Sequence, residues 1–435
     1  VTEVVSPPET VSIRRIAGLA LPALVVLAAE PIYVLVDTAV VGHLGRIPLA
    51  ALALGGGILA VAAWLGIVLA YGTTGRAARQ FGAGDRSAAV AEGVQASWIA
   101  IGVGVVMAVA AQFVAVPLTR AFAGSEGEVA TQAAQWLRIA AFGAPGILLA
   151  MAGNGWMRGV QDTRRPVRYV LAANALSAVL GPVLVYPVGL GLKGSAIANL
   201  AAQLVGGVLF VRALVAERVP LRPRPAMLRR QLVVSRDLLV RGGAFQVCFL
   251  SASAVAARFG AAALGAHQIA LQLWMFCALA LDAVAIAAQS LVGASLGAGD
   301  TVAARQAATR IARIGAVCGV AGAFVLPQLF SPDPQVRAQA LVAWPWFVAM
   351  QPLAGVVFAL DGVFIGAGDV RYLRDITIVA ALGFFLPAIW LAYGLRLGLG
   401  GVWAGLTLFI VVRLVGLLLR LRGDRWAVGG AVRAA

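Results

Sequence analysis

The sequence predicts an all-α membrane protein of twelve transmembrane helices arranged as two parallel six-helix repeats, and three observations carry that prediction. Apolar residues make up 61% of the 435 positions and mean hydropathy is +0.92, where a soluble domain is about half apolar. These residues come in blocks of roughly 20, long enough for a helix to cross a ~30 Å hydrocarbon layer while satisfying its own backbone groups. A spanning barrel would instead show ~10-residue stretches of alternating polarity, and none occurs. The third observation is an internal repeat.

The blocks follow one another in order. Residues 1–12 form a short polar lead, expected to be disordered. The first span, 16–41, is too long for a signal-peptide core and has no small-residue cleavage site after it. It contains Pro22 and Pro31, each of which removes a backbone hydrogen bond and favours a bend. Spans at 49–72 and 92–117 flank the basic stretch Arg76–Arg86, and spans at 131–157 and 167–188 flank Arg158–Arg168. The sixth, 194–215, runs into the longest polar connection, 217–237, whose prolines and arginines mark a linker. The chain therefore divides into an N-terminal six-helix lobe (1–216), the linker (217–237) and a C-terminal six-helix lobe (238–435). Spans at 238–258, 264–290, 307–330, 338–365, 372–394 and 399–420 complete the second lobe.

A net charge of +16 could point to nucleic acid. Its distribution argues against that partner and for a lipid bilayer. Basic clusters (Arg14–Arg15, Arg76–Arg86, Arg158–Arg168, Arg218–Arg236, Arg305–Arg313, Arg371–Arg374, Arg420–Arg425) sit at every second block boundary. The intervening turns carry isolated positives such as Arg46, Arg120, Lys193 and Arg258, some offset by Glu126, Glu128 and Asp333. This asymmetry predicts a multi-pass protein of the cell's inner (plasma) membrane with both termini cytoplasmic. The three cysteines, Cys248, Cys277 and Cys318, fall inside apolar blocks as small hydrophobes, with no disulfide framework or metal-ligand spacing.

The repeat is legible in the turns. Gly82–Asp85 (GAGD) recurs 215 residues later as Gly297–Asp300, and Gly159–Asp162 (GVQD) recurs 207 residues later as Gly366–Asp369 (GAGD). At the second spacing Pro145 matches Pro352, Tyr186 matches Tyr393, and Asn154 falls opposite Asp361. These turns lack a P-loop lysine. They read as punctuation, with a left-handed glycine ending one helix and aspartate capping the next. Six helices per half, an even number, make the repeats parallel, related by an axis along the membrane normal. Two such lobes enclose a cleft able to open to either side, the architecture of a secondary transporter.

Of the 18 acids, Glu30, Asp37, Asp282 and Asp361 lie well inside apolar spans. A charge at the bilayer centre costs about 2.5–3.5 kcal/mol even on the lenient insertion scale, so each is a functional candidate. A structural acid hydrogen-bonded to a neighbouring helix is the competing reading. Glu30 and Asp37 are two helical turns apart and share one face of the first helix. Asn174 and Ser177 share a face of the fifth span, and Asn199 and Gln203 a face of the sixth; they either complete a polar pocket with Asp37 or bond helix to helix. His267 and Gln268 lead the eighth span.

The segments LPALVVLAAEPIYVLVDTAVVGHLG (21–45), LGAHQIALQLWMFCALALDAVAIAAQSLVGASLGAGD (264–300) and ALDGVFIGAGD (359–369) resemble the multidrug and toxic compound extrusion (MATE) family, above all its DNA-damage-inducible (DinF-like) branch. The resemblance covers nearly the whole chain. It implies twelve helices in two bundles, a central cleft, and cation-coupled export of organic cations or other amphiphiles, with no cofactor. By position Asp37 matches the family's first-helix acid and Pro22 its first-helix proline. The fifth-helix asparagine and aspartate of the branch fall at Ser177 and Gly181, the sixth-helix threonine at Asn199, and the tenth-helix acid of the NorM-like branch at Ala354. Losing the second N-lobe carboxylate makes the expected coupling ion a proton, with sodium less favoured.

Two alternatives stand beside proton-coupled antiport of amphiphilic or cationic compounds. A flippase for lipid-linked precursors of the same superfamily would need a strongly cationic cleft, whereas nearly every arginine here is assigned to loops, Arg138 being the exception. A membrane-embedded enzyme would need a catalytic constellation, and only His43 and His267 are on offer, one in each lobe.

Overall fold

The computed structural model describes residues 12–124, 127–322 and 332–431. Most of the lead 1–12, Glu126, and the end of the ninth expected span, 323–330, lie outside them. All regular structure among the described residues is helical. The first half contains α1 (Ile13–Gly42), α2 (Arg46–Gly82), α3 (Arg86–Ala123), α4 (Gly127–Ala140), α5 (Ala144–Gly159), α6 (Arg164–Val185) and α7 (Leu192–Ala216). The second contains α8 (Pro225–Arg258), α9 (Ala261–Gly297), α10 (Thr301–Gly322), α11 (Pro334–Gly366), α12 (Val370–Ile378), α13 (Leu386–Gly394) and α14 (Gly398–Arg422).

Eleven helical spans among the described residues are long and apolar enough to cross a bilayer, α4 with α5 and α12 with α13 each forming one. The one remaining expected span, the ninth, begins in α10, which carries Arg305, Arg310 and Arg313. Prolines explain both interruptions. A 3₁₀ turn, Ala141–Gly143, precedes Pro145 at the start of α5, and a π-helical turn, Val379–Phe385, precedes Pro387 in α13. In each case the ring supplies no N–H to the preceding turn. By contrast α1 continues as one α-helix through Pro22 and Pro31.

The expected linker 217–237 is only partly open chain: 217–224 are non-helical, and Pro225 opens α8. Proline favours this first-turn position because its N–H would be unpaired there anyway. The stretch is fastened to its own lobe. Trp98 Nε1 donates to the Leu221 carbonyl (2.8 Å), the Arg224 N–H donates to Gln95 Oε1 (2.8 Å), and Gln231 Nε2 donates to Thr73 Oγ1 (2.7 Å).

Two compact units form. One comprises Val25–Phe81 and Asp85–Ser235; the other comprises Arg236–Ala435, Gly82–Gly84 and the chain up to Leu24, so the division passes through α1. Small residues set the helix spacing inside each, as is usual where lipid gives no hydrophobic drive between helices. A Cβ on Gly146 of α5 would lie 2.3 Å from the Gln203 carbonyl oxygen of α7, and one on Gly355 of α11 would lie 1.9 Å from the Gly315 carbonyl oxygen of α10. Cys248 and Cys277 are buried and Cys318 half-buried, all as free thiols.

The four repeated turns share one hydrogen-bond pattern. The aspartate N–H reaches the carbonyl five residues back in every copy: Asp85 to Gln80 (3.1 Å), Asp162 to Met157 (2.8 Å), Asp300 to Ser295 (2.9 Å) and Asp369 to Phe364 (2.8 Å). The residue before each aspartate takes positive φ: Gly84 +85°, Gln161 +60°, Gly299 +79°, Gly368 +71°. This is a Schellman ending. The side chains of Asp85, Asp162 and Asp300 then accept from the N–H three residues on. Asp369 instead receives Arg420 Nε at 2.7 Å.

Candidate functional site

Asp37 lies on α1 about five residues before the helix ends, and is buried (9% exposed). α7 meets it from the side. The turn through Gly191, with φ +54°, delivers the first turn of α7, and Tyr186 Oη ties the same turn to the Val40 carbonyl (2.5 Å). Ser195 Oγ thereby reaches both Asp37 oxygens, at 2.9 and 3.0 Å. Trp136 Nε1, near the end of α4, donates to that hydroxyl at 3.2 Å. One turn along each helix, Asn199 Nδ2 donates to Tyr33 Oη at 2.8 Å, and Ser177 of α6 faces the same phenol. Tyr33 and Asp37 are thus matched in antiparallel register by Asn199 and Ser195.

The expected set is only partly gathered here. Asn199 and Ser177 enter the cluster through Tyr33. Asn174 Nδ2 donates to the Ala29 carbonyl (3.0 Å), bonding α6 to α1 without touching Asp37. Glu30 is exposed and makes no hydrogen bond or ion pair among the described residues. The Asn199 Oδ1 is buried with no partner. Gly181 is buried, yet a Cβ there would meet nothing within 4 Å. Among the described residues no cation pairs with Asp37. Ser195, Trp136 and Tyr33 escaped the sequence reading; polar residues four positions from Asp37 and Asn199 were the available signal.

A second polar cluster occupies the other unit. Asp361 of α11 (6% exposed) accepts from Arg413 Nη2 of α14 at 2.7 Å on both oxygens, and from Arg241 Nη2 of α8 at 2.5 Å. Arg413 is 1% exposed. Its guanidinium carbon lies 4.8 Å from the Phe245 ring centre and 5.6 Å from that of Phe409, and Arg241 lies 5.1 Å from Phe245. The assignment of nearly all arginines to loops is therefore corrected: Arg241 and Arg413 lie inside helices, made tolerable there by a shared carboxylate and aromatic faces. Arg138, the expected exception, is exposed on α4. An arginine in the middle of the apolar run 399–420 was the missed signal.

The remaining candidates do not join either cluster. Asp282 is half-buried on α9 and is not a partner of Asp361. His267 is buried against Ser253 Oγ (3.2 Å) and the Trp403 ring, while neighbouring Gln268 is exposed. Asn154, the repeat mate of Asp361, is buried with its Oδ1 unpartnered. Among the described residues no three histidines, cysteines or acids gather to hold a metal.

A helical chain with eleven apolar spans among the described residues, and with ionisable side chains built into its helices, is a polytopic membrane protein. A family model described as MatE matches residues 22–183 and 243–393, more than half the chain, and the chain belongs to that family of efflux transporters. It is 33% identical to Protein DETOXIFICATION 44, chloroplastic, of Arabidopsis thaliana over 92% of this chain and 80% of that one. It is 30% identical to DNA damage-inducible protein F of Escherichia coli over 93% and 91%. Among solved structures, one of MATE in the bent conformation matches with a TM-score of 0.85 at 23% identity, covering 94% of this chain and 95% of that one.

Proposed function

We propose that this chain is a proton-coupled antiporter that exports amphiphilic organic compounds, cations among them, by alternating access across the plasma membrane. The observation that carries the reading is the company Asp37 keeps: a carboxylate inside a spanning helix, held by the neutral Ser195 hydroxyl, which itself accepts from Trp136, and paired with no cation among the described residues. A bare carboxylate is costly in that setting, and taking up a proton removes the charge without further ligands. Sodium, a hard cation, wants several oxygen ligands and added negative charge; Gly181 leaves the second acid of the family missing, and Glu30 lies about 10 Å along the helix at 1.5 Å per residue. In liposomes the outward flux of a cationic dye is expected to follow an imposed pH gradient without sodium. A sodium requirement at every pH would overturn the mechanism.

The alternation of arginine clusters supports both termini in the cytoplasm. A cysteine placed at Arg224 should then resist impermeant reagents added to intact cells, while one at Lys193 reacts; the reverse pattern would invert the topology. The flippase reading gains one supporting observation, the buried Arg241–Arg413 pair, but Asp361 already neutralises half of it.

A further inference from the structure

The Asp361 cluster holds more positive than negative charge. Arg413 and Asp361 account for each other, with one guanidinium nitrogen on both carboxylate oxygens at 2.7 Å. Arg241 adds a second positive charge through a single contact to the same acid. Among the described residues Asp361 has no other ion-pair partner, and no second acid pairs with either arginine. A surplus unit charge in a low-dielectric interior is unfavourable unless something compensates it. The donors tell the same story: the Nε–H of Arg413 and the Nε–H of Arg241 are both buried without an acceptor. An unmade hydrogen bond at a charged buried group is costly, and here two sit on the same cluster.

Accessibility differs between the two arginines. The Arg413 side chain is 1% exposed and walled by Phe245 and Phe409, whereas 11% of the Arg241 side chain remains open. Arg413 and Asp361 therefore form a fixed base, and Arg241 presents the surplus charge toward an approaching group. A guanidinium offers its N–H donors in a planar fork suited to carboxylate-like oxygens. The half-buried Phe245 ring beside it supplies apolar contact for the body of a ligand.

Taking the transporter reading as given, we infer that the C-terminal unit recognises an anionic head group, a carboxylate or sulfonate carried on an amphiphilic substrate, through Arg241 backed by Arg413 and Asp361. The transported class then includes acidic and zwitterionic amphiphiles alongside cations. The acid neutralises part of the charge and orients the fork, while the substrate's anion completes the neutralisation.

The test uses full-length protein in nanodiscs of neutral phosphatidylcholine and measures equilibrium binding of 2-naphthoate and of the matched cation 1-naphthylmethylammonium. Wild-type protein should bind 2-naphthoate saturably at about one per chain. Arg241→Gln should weaken that binding at least tenfold and Arg241→Lys by less, with cation binding changed by no more than about twofold. Equal naphthoate binding by wild type and by a folded Arg241→Gln protein overturns the site, as does wild-type protein that binds only the cation. Anionic phosphatidylglycerol in the disc should leave naphthoate binding in place; its abolition would show a lipid head-group site instead and overturn the substrate assignment. Binding needs no gradient, so naphthoate binding without pH-driven flux would sink the antiport reading and leave this site standing. Flux without naphthoate binding would do the opposite.

Discussion

Asp37 and Asp361 are both carboxylates buried inside spanning helices, and their surroundings are opposite. Asp37 is met by a serine hydroxyl that is itself held by an indole, with no positive charge in its cluster. Asp361 is clasped by two guanidiniums pressed on aromatic rings. A carboxylate with neutral partners can change its protonation without stranding another charge. One between two arginines is what pairs them, and without it two buried cations are left unpaired. The same residue type thus meets neutral donors in one unit and holds two cations in place in the other. At the repeat position in the sequence the N-terminal half carries Asn154, five residues before a turn with the same hydrogen bond, so the two halves differ in charge there.

The widest separation between the two acids is expected in paired substitutions. Asp37→Asn should abolish pH-driven flux in liposomes while costing less than about 1 kcal/mol of stability, since one neutral hydrogen bond is rearranged. Asp361→Asn should reduce flux and lower stability by about 3–5 kcal/mol through the unpaired arginines, read as thermal unfolding in detergent with protein still present in the membrane. Normal flux in Asp37→Asn, or equal stability in the two variants, would erase the contrast. At the next level, Ser195→Ala removes the donor to Asp37 and should slow transport about 5–30-fold, the equivalent of about 1–2 kcal/mol. A rate within twofold of wild type would make Ser195 a bystander.

The smallest effect tests whether charge pairing outside the membrane behaves as ordinary surface chemistry. Glu217 receives Arg86 Nη2 at 2.9 Å and Arg165 Nη1 at 3.2 Å, and chiefly the hydrogen bond from Arg86, opposed in part by burial, holds its carboxyl below the ordinary 4.5. A depressed folded-state value means the stabilisation is present at neutral pH and is lost as pH falls below about 4.5 toward the folded value. Arg86 and Arg165 are both more than a third exposed, so Glu217→Gln should cost at most about 1 kcal/mol near pH 7. That cost should vanish at acidic pH; one that persists there would assign it to packing.

The helices were readable because a lipid-crossing segment must be long, apolar and continuous, and the basic stretches mark its ends. The break before Pro145 and the π turn before Pro387 follow from residues visible in the chain. The helix after the polar connection starts at Pro225, earlier than the span expected from 238, because arginines and a proline dominate 225–237; Gln231 on that first stretch is anchored on Thr73. Asp37 is legible in the sequence as an acid inside an apolar span, but the side chains around it are not. Ser195, Tyr33 and Trp136 are ordinary residues in sequence, and only the pairing of α1 with α7 and α4 gives them a role. Arg241 and Arg413 were hidden by proximity to basic clusters and by an otherwise apolar run, respectively.

Gln161 has a consequence for how kinship between distant chains can be read. It occupies the left-handed position that glycine fills in the other three turns, at a cost of about 1 kcal/mol, and the turn keeps its shape: the Asp162 N–H still reaches the Met157 carbonyl at 2.8 Å. What the four turns share is therefore a pattern of donors and acceptors, with glycine as its commonest but dispensable spelling. A copy in which every glycine has drifted would be invisible to a motif search. It would still be recognisable as an aspartate whose N–H reaches five residues back at the end of a helix.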